Sequence, residues 1–598
     1  MGPPLNKDAG TRIRRKTKII CTLGPATDAD GVLRRLFTSG MDVARLNFSH
    51  GNYAEHKKRV DQFKQIRHEL KVPAGLILDT RGPEIRIGRF ANQEVELANG
   101  VRFIFTTEPV IGSNTMVSVD CAGFGDMVKV GDMLLLDDGL IAMRVAGKQG
   151  AEVACEVVNG GVLSNNKKIN IPAGTAGLPF MSPKDRDDIR FGVENDFDFI
   201  AASFVRNADD VKELRGQLRE YDGEFIKVIS KIECRDGVNN IDDILCASDG
   251  IMVARGDMGV EIPFEELPAI QKSIIRKCYF SGKTVITATQ MLDSMIRNPR
   301  PTRAEITDVA NAIYDGTSAV MLSGETAAGN FPVESLQTMS RIAAETERDI
   351  DYVKNFSDTH VEVPRNVTGA ISRATCETAH SLNASAIISV TKSGHTASMV
   401  SKYRPACAII APVVSEKVYN QLSLSWGVCP VLTELQRSTD EIFINAAGKA
   451  SESGLVKTGD LVVITGGTLV DASGTTNTIR VQIIGDVLIT GTGNAHPSSS
   501  GAVCIVTEAG DMQNFNRGEI LVIKRSSEEI IQALKYAVGL ITEEKMDDSK
   551  AYMATLAMGI PAIAGAAQAT SKLRSGIVVT LDATNGRVLN GAPVHSPD

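Results

Sequence analysis

The sequence lacks the features of secreted, membrane-spanning and nucleic-acid-binding proteins. Its ten cysteines are scattered, with no C-x-x-C pair, and indicate neither disulfide bonds nor a zinc site. No apolar run reaches about 18 residues and no signal peptide precedes the fold, so we expect a cytoplasmic protein without a membrane partner. Acidic residues outnumber basic ones, 72 to 64, and the net charge of −8 argues against nucleic acid as a partner.

Eight apolar runs, each ending in polar residues, recur in the first 326 residues. Most are separated by amphipathic helical segments such as 54–70, 183–195 and 265–282. Eight β/α units of this kind predict a TIM (β/α)8 barrel, whose ring is closed by a helix over 335–351. The runs are 18–26, 42–50, 75–84, 197–206, 225–233, 250–257, 284–290 and 318–326.

The stretch 226–257 places charged residues at the ends of two parallel strands. Strands over 225–230 and 250–254 flank a helix over 235–246, and such a βαβ unit forces its strands to be parallel. The charged residues that follow the strands are Lys231, Glu233, Arg255 and Asp257. Ligands of parallel α/β folds bind beyond the carboxyl ends of the strands, so these side chains indicate a divalent metal and a fixed cation for an anionic substrate. A structural ion pair that closes the barrel explains this unit alone about equally well.

The gap between the third and fourth runs, 83–182, lacks helical periodicity. Short alternating runs predict a small inserted β-domain, whose clearest hairpin turns at Asp138-Gly139. An insertion at the active-site mouth of a barrel is placed to act as a lid that excludes water.

Two further α/β regions follow the barrel. Helices alternate with buried strands over 353–484, as in an open α/β domain. Its loop 391–396, TKSGHT, follows a strand and opens a helix, which predicts either a phosphate cradle or a structural turn. Residues 485–598 give short strands around two helices, after a Gly/Ser-rich stretch, 491–501, typical of a linker or mobile loop.

The chain resembles the pyruvate kinase family from about Arg14 to Ile484. The motifs that carry the resemblance are CTLGPA, ARLNFSHG, LDTRGPEIR, ISKIE, MVARGDMGVE, TATQMLDSM, PRPTRAE and MLSGETA, which fall in order at the ends of the predicted strands. The remainder is similar to the extra C-terminal domain of some bacterial members, a swivelling domain of phosphoenolpyruvate-utilising enzymes. The resemblance implies transfer of a phosphoryl group from phosphoenolpyruvate to ADP in glycolysis, giving ATP and pyruvate, by an allosterically regulated homotetramer.

The fold implied is a TIM barrel with an inserted β-barrel lid, an open α/β domain and a swivelling-type α/β domain. We expect the boundaries to be 1–16 for an N-terminal arm, 17–82 plus 183–352 for the barrel, 83–182 for the lid, 353–484 for the effector-binding domain and 485–598 for the extra domain.

The resemblance also implies the residues that bind phosphoenolpyruvate. Glu233 and Asp257 hold Mg²⁺ (or Mn²⁺), a pair of oxygen ligands suited to stabilising an enolate. Lys231 lies over the phosphoryl group in flight, with Arg45 as the second cation. The backbone around Gly256 holds the substrate carboxylate with Asp257, while Thr289 orients the substrate and a water that delivers the proton.

Three more sets of residues are implied for ions, nucleotide and effector. The K⁺ ligands are Asn47, Ser49, Asp79 and Thr80, and Glu84 is the acidic residue typical of K⁺-dependent members. The nucleotide ligands are Asn47, His50, Arg86 and Lys168, for which plain surface charge is the alternative. A phosphorylated small-molecule effector is implied at Thr391, Lys392, Ser393, Gly394, His395 and Thr396.

Other functions remain open from the residues alone. A metal-dependent barrel lyase or aldolase acting through pyruvate enolate also uses a Glu/Asp pair, but needs neither the lid nor the monovalent site. A non-catalytic effector-binding barrel protein is disfavoured by the intact catalytic residues. A synthase-like reaction needs a phosphorylated histidine in the last domain, where Lys550 takes the histidine's place before the turn Met558–Pro561.

Overall fold

The computed structural model describes residues 15–137, 139–172, 178–358, 366–435, 439–467, 476–485 and 487–591. The chain forms two compact units. The first consists of Met1–Glu362, Ser401–Arg404 and Ser415–Pro430, and the second of Val363–Val400, Pro405–Val414 and Val431–Asp598.

Eight parallel strands close into a barrel in the first unit. Each strand pairs with its neighbours in the sequence, and the last pairs with the first. The predicted (β/α)8 barrel is thereby confirmed, with one strand from each of the eight predicted runs. The strands are Lys18–Thr22, Val43–Asn47, Gly75–Asp79, Phe199–Ala202, Lys227–Ile232, Gly250–Ala254, Thr284–Ala288 and Ala319–Leu322.

Alternation along each strand divides the apolar residues between two cores. In the strand Lys227–Ile232, Val228 and Ile232 pack in the large core that the barrel helices cover, while Ile229 packs in the core inside the barrel. Burial on both faces explains why these strands appear in the sequence as continuous apolar runs.

Apart from Phe124–Met127, which belongs to the insertion, the helices of the first unit surround the barrel and cap its strands. The segment 235–246, predicted as one helix, is instead two, because the chain breaks at Asn240, whose side-chain amide donates to the carbonyl of Arg206 at 2.8 Å. The helices are Val32–Ser39, Tyr53–Leu70, Phe124–Met127, Pro183–Glu194, Ala208–Glu220, Arg235–Asn239, Ile241–Ala247, Arg255–Glu261, Leu267–Ser281, Arg303–Tyr314, Gly324–Ala327, Pro332–Asp349, Tyr352–Asp358 and Glu416–Gln421. None of the helices within the described ranges is long and apolar enough to cross a membrane.

The insertion, hereafter the lid, is a β-domain with its own apolar core. The predicted hairpin is present, since Met133–Leu136 and Ile141–Gln149 pair antiparallel, although Asp138 itself lies outside the described residues. The seven-stranded sheet runs in the order Ile85–Arg86, Lys168–Asn170, Met133–Leu136, Ile141–Gln149, Glu152–Asn159, Arg102–Thr106 and Met116–Ser118. A second, two-stranded sheet joins Glu94–Leu97 to Gly161–Ser164.

The second unit contains two sheets. In the first, Ala408–Val413, Ala386–Ser389 and Leu461–Gly467 are parallel and Thr476–Ile483 is an antiparallel edge. In the second, the order is Val487–Thr490, Arg587–Asn590, Val578–Asp582, Ser499–Val506, Ile520–Ile523, Gly539–Thr542, Ala562–Ala564 and Thr492–Gly493. The first sheet also contains the strand Val428–Leu432, next to Ala408–Val413. The helices are Val367–Ser381, His395–Ser401, Thr439–Glu452, Glu528–Ala533, Lys550–Met558 and Ala569–Lys572.

The prediction of a linker over 491–501 is wrong. Thr492–Gly493 pairs with the strand Ala562–Ala564, and a long strand begins at Ser499. The glycines serve close packing rather than flexibility, because a Cβ atom on Gly493 would lie 1.8 Å from the carbonyl oxygen of Ala583.

Candidate active site

A cleft of about 1240 Å³ lies between the carboxyl ends of the barrel strands and the lid, within the first unit. It brings together predicted residues that are far apart in the sequence. Those that line it are Arg45, Asn47, Ser49, His50, Arg86, Lys168, Lys231, Glu233 and Asp257. Asp79 and Thr80 are hydrogen-bonded to residues that line it, whereas Gly256 and Thr289 are not among its lining residues and lie beside Asp257.

Lys231 lies inside its strand rather than after it, because the strand runs two residues further than predicted. Its ammonium donates to Ser203 Oγ at 2.6 Å and to Asp79 Oδ1 at 3.0 Å, and lies 3.0 Å from Glu233 Oε1. Burial alone would lower the pKa of Lys231, but the charges of Asp79 and Glu233 outweigh burial and raise it. The buried side chain is therefore a fixed positive charge.

Arg45 supplies a second buried cation beside the first. Its Nε donates to Asp79 Oδ2 at 2.5 Å, and Nη1 donates to Thr22 Oγ1 at 3.1 Å. Burial acts to raise the pKa of Asp79, but Arg45 and Lys231 lower it overall, so this carboxylate stays ionised between the two cations.

Glu233 is a fully buried carboxylate whose two oxygens differ. Oε2 accepts the backbone N–H of Phe204 at 2.7 Å. Oε1 is enclosed and accepts no hydrogen bond from the described residues, although the Lys231 ammonium lies nearby. Burial raises the pKa of Glu233 to about 7. This buried oxygen has the Lys231 ammonium 3.0 Å away and keeps lone pairs that a metal cation could use.

Asp257 is the second carboxylate and lies in the first turn of the helix Arg255–Glu261. Its Oδ1 accepts from Lys168 of the lid at 2.7 Å, and the Lys168 ammonium also lies 3.9 Å from the centre of the Phe204 ring. Burial acts to raise the pKa of Asp257, but Lys168 and Lys231 lower it overall. Lys168, predicted as a nucleotide ligand, thus contacts a predicted metal ligand directly.

Opposite charges are balanced across this cluster. The charged cluster comprises the cations Arg45, Lys168 and Lys231 and the carboxylates Asp79, Glu233 and Asp257. Across the residues that the structure describes, no three His, Cys, Asp or Glu side chains converge as a ready-made metal cage. Two carboxylates suit Mg²⁺, which keeps several of its positions for water and substrate oxygens.

Thr289 and Gly256 meet beside Asp257. The backbone N–H of Gly256 donates to Thr289 Oγ1 at 2.8 Å, and the hydroxyl donates to the carbonyl of Ala288 at 2.6 Å. Thr289 and Gln290 both have left-handed backbones, with φ of 68° and 53°. Such a conformation costs roughly 1–3 kcal/mol at a non-glycine residue and persists only where neighbours hold it.

The predicted K⁺ ligands lie on two adjacent strands. Asn47 is in register with Asp79, and Asn47 Oδ1 accepts the N–H of Ser49 at 3.0 Å. Thr80 Oγ1 accepts the N–H of Ser203 at 3.2 Å. All four predicted ligands offer oxygen atoms to a metal ion, and only Asp79 offers a carboxylate, which fits a monovalent cation. Both carboxylate oxygens of Asp79 also accept hydrogen bonds, one from Lys231 and one from Arg45.

The predicted nucleotide ligands lie at the lid side of the cleft. Arg86 donates to Glu84 at 2.7 Å, and its Nη1 donates to the carbonyl of Asn166 at 2.9 Å. Burial and then the charge of Arg86 lower the pKa of His50, which keeps that imidazole neutral.

Sequence reasoning missed two residues of the cleft, Ser203 and Phe204. Ser203 bridges Lys231 and the carbonyl of Thr80 at 2.7 Å, while Phe204, with φ of 54°, directs its N–H at Glu233. Both follow the fourth barrel strand, so the strand-end rule alone identifies the position. Because neither side chain is ionisable, a search of the sequence for charged residues does not identify them.

The predicted effector loop is in the second unit. Thr391 Oγ1 accepts the N–H of Gly394 at 3.0 Å, which requires φ of 84° at that glycine, and Thr396 Oγ1 lies 2.7 Å from Thr476 Oγ1. Lys392, Ser393 and His395 are exposed. The hydroxyls of the two buried threonines, Thr391 and Thr396, therefore have partners within the fold, as expected if the loop is a structural turn.

Lys550 begins the helix Lys550–Met558 and is exposed. Ser549 caps that helix by accepting the N–H of Tyr552, and Ser526 Oγ lies 3.0 Å from Ser549 Oγ.

Family comparisons agree with this geometry. The family model "Pyruvate kinase, barrel domain" matches residues 14–336, more than half of the chain. The chain belongs to the pyruvate kinase family. The pyruvate kinase alpha/beta domain matches 369–482, and the mobile domain of a PEP-utilising enzyme matches 515–586.

Named pyruvate kinases align over nearly the full length of the chain. That of Sporosarcina psychrophila is 47% identical over 96% of this chain and 99% of its own length. Those of Bacillus licheniformis and Geobacillus stearothermophilus are each 46% identical, over 96% and 97% of this chain and 99% of their own lengths. The predicted resemblance to pyruvate kinase, including the extra C-terminal domain, is thereby confirmed.

Proposed function

We propose that this chain transfers the phosphoryl group of phosphoenolpyruvate to ADP, giving ATP and pyruvate, the glycolytic reaction of its family. The observation that carries the proposal is the position of Lys231, a buried and charged ammonium fixed by Asp79, Ser203 and Glu233 in the cleft. Phosphoryl transfer needs positioning and charge neutralisation rather than covalent help from the protein, and the charged cluster supplies both.

Lys231 and Arg45 are the cations for the transferring phosphoryl group. Both are held in place by Asp79, so neither side chain has to be ordered when the substrate binds. Both side chains are buried, so their charges act in a medium of lower dielectric constant than water and are worth more there than on an open surface.

Glu233 and Asp257 are the residues that would hold Mg²⁺ or Mn²⁺. The bound ion supplies Lewis-acid stabilisation to the oxygens of the substrate. Both carboxylates line the cleft, and each already lies beside a cation, the ammonium of Lys231 or of Lys168, which supports a site for positive charge. The backbone around Gly256 faces the substrate carboxylate, and Thr289 orients the substrate and the proton-delivering water.

Asn47, Ser49, Asp79 and Thr80 are the residues that would hold K⁺. The register of Asn47 and Asp79 supports the set. On the lid side, His50, Arg86 and Lys168 would bind the nucleotide phosphates, with Asn47 as a further nucleotide ligand. Lys168 would then leave Asp257 for a phosphate oxygen when substrates arrive.

The rival barrel lyase or aldolase explains less of the cleft. Such an enzyme needs the two carboxylates but not a lid residue such as Lys168 at the metal site, nor a lysine aimed at a phosphoryl group. A non-catalytic role leaves unexplained the cost of burying four charges, those of Arg45, Asp79, Lys231 and Glu233.

Regulation belongs to the second unit in this proposal. A phosphorylated small molecule would bind at Thr391–Thr396, where Ser393 is exposed, and act on a cytoplasmic homotetramer. The boundaries expected from the sequence, with the effector domain over 353–484, are the ones we propose.

The extra domain, 485–598, has a structural or regulatory role in this proposal. A lysine is protonated at neutral pH and is a poor phosphoryl acceptor, so Lys550 does not replace the histidine of the phosphorylated relatives of this domain.

Pyruvate formation tests the proposed function. The protein is mixed with phosphoenolpyruvate and ADP, and pyruvate is followed by its reduction with NADH and lactate dehydrogenase. We expect activity that is lost when Mg²⁺ is omitted and greatly reduced when K⁺ is replaced by a bulky organic cation. Pyruvate formed without ADP, or none formed with all components present, would contradict the proposal.

A further inference from the structure

The strained turn at Thr289 and Gln290 needs something to hold it. Two successive non-glycine residues have left-handed backbones there, and the Thr289 hydroxyl is set by its contacts to Gly256 and Ala288. A turn of this kind relaxes unless surrounding groups fix its carbonyls.

Arg255 makes those contacts. Its Nη2 donates to the carbonyl of Thr289 at 2.8 Å, and its Nε donates to the carbonyl of Ala288 at 3.3 Å. Its Nη1 donates to Asp308 at 2.7 Å. One guanidinium thus joins the turn to the helix Arg303–Tyr314, while the next two residues in sequence are Gly256 and Asp257.

We propose that Arg255 is a positioning residue that holds the Thr289 turn in its reactive geometry, with Asp308 anchoring the guanidinium. This inference rests on the proposed function, in which Thr289 orients the substrate and the proton-delivering water. Arg255 acts through Thr289 and contacts neither the substrate nor the metal ligands in this role.

Holding the Thr289 turn in this way requires an arginine rather than any cation. The planar fork presents several N–H groups in fixed directions, so it bonds two successive carbonyls and a carboxylate at once. A lysine donates from a single nitrogen and lacks the rigid fork that spans the two carbonyls and the Asp308 carboxylate, so it leaves the turn free to relax.

A matched control exists at the opposite end of the same barrel strand. Arg215 donates through Nε to the carbonyl of Ala247 at 3.0 Å and through Nη2 to Asp249 at 2.8 Å. Like Arg255, Arg215 therefore bonds to a backbone carbonyl and to a carboxylate. Its carboxylate partner, Asp249, is the residue just before the strand Gly250–Ala254.

The experiment compares Arg255→Lys with Arg215→Lys in the full-length protein. We expect Arg255→Lys to lower kcat by about 10²-fold, the scale of a misplaced reacting group, with a much smaller change in KM for phosphoenolpyruvate. Arg215→Lys should leave kcat within about twofold of the parent. Equal kcat values for Arg255→Lys and the parent would overturn the proposal.

Two further measurements keep the result interpretable. Amide hydrogen exchange over 286–292 should become faster in Arg255→Lys and stay unchanged in Arg215→Lys; unchanged exchange in both contradicts the proposed positioning. Asp308→Asn should also lower kcat. The double variant Arg255→Lys/Asp308→Asn should be no slower than Arg255→Lys alone, because the two residues act as one unit. Multiplying effects would also contradict the proposal, whereas an inactive parent protein would instead contradict the proposed function.

Discussion

Lys231→Met removes the charge that the proposed mechanism uses most directly. Methionine keeps the length and apolar stem of the side chain but has no ammonium to offer Asp79, Ser203 or a phosphoryl oxygen. The fold should survive, because Asp79 retains Arg45 at 2.5 Å and Glu233, whose pKa burial raises to about 7, can take up a proton. Both carboxylates of the metal site, Glu233 and Asp257, are unchanged, and a metal ion displaces the proton from Glu233, so the variant should still bind Mg²⁺.

The expected loss follows from simple electrostatics. Two unit charges about 4 Å apart at an effective dielectric constant of about 20 interact by about 4 kcal/mol. At about 1.36 kcal/mol for each factor of ten, the full interaction corresponds to about 10³ in rate. Part of this electrostatic interaction already forms with the bound substrate before the transition state, and that part does not accelerate the reaction. We therefore expect kcat to fall by about 10²–10³.

Two assays separate the chemical steps. Pyruvate formation from phosphoenolpyruvate reports phosphoryl transfer, and hydrogen exchange at the methyl group of added pyruvate reports proton transfer alone. Lys231→Met should lose most of the first and retain more of the second. The matched control is Lys227→Met, four residues earlier in the same strand, where burial lowers the pKa of a lysine that is not among the residues lining the active-site cleft. Near-normal turnover in Lys231→Met, or an equal loss in Lys227→Met, would refute the reasoning.

Three more predictions concern ions, effector and the extra domain. Glu84→Lys places a fixed ammonium where an acid now accepts from Arg86 at 2.7 Å, so the rise in rate with added K⁺ should flatten; an unchanged K⁺ titration would speak against it. Ser393→Asp adds a negative charge to the effector loop and should abolish activation by sugar phosphates while sparing the basal rate, and an unchanged activation curve would place the effector elsewhere. Incubation with ³²P-labelled phosphoenolpyruvate should leave no acid-labile phosphate on 485–598, and a chain ending at Gly485 should still form pyruvate; label recovered on that segment would contradict the structural role.

The sequence predicts the barrel well because its strands are buried on both faces. Each strand is then a continuous apolar run, and the polar residue that ends the run marks the catalytic rim, as at Glu233 and Asp257. Strand ends are less certain, since Lys231 has apolar neighbours and continues the strand that Phe225 was expected to begin.

Other features depend on contacts between distant segments. No local sequence pattern indicates that Asn240 breaks a helix by bonding to Arg206. Nor does one indicate that Gly493 packs against Ala583 instead of belonging to a linker. The roles of Ser203 and Phe204 likewise arise from neighbours on other strands. The pairing of Lys168 with Asp257 joins the lid to the barrel, two regions that the sequence predicts separately.

The most direct test of the proposed reaction follows the phosphorus atom itself. In ³¹P NMR of the protein with phosphoenolpyruvate, ADP, Mg²⁺ and K⁺, we predict that the phosphoenolpyruvate signal declines as the γ-phosphate signal of ATP grows by an equal amount. The Glu233→Gln variant should slow this exchange strongly, because it removes a carboxylate at the metal site. Phosphorus that appears as inorganic phosphate, or that stays in phosphoenolpyruvate, would contradict phosphoryl transfer to ADP.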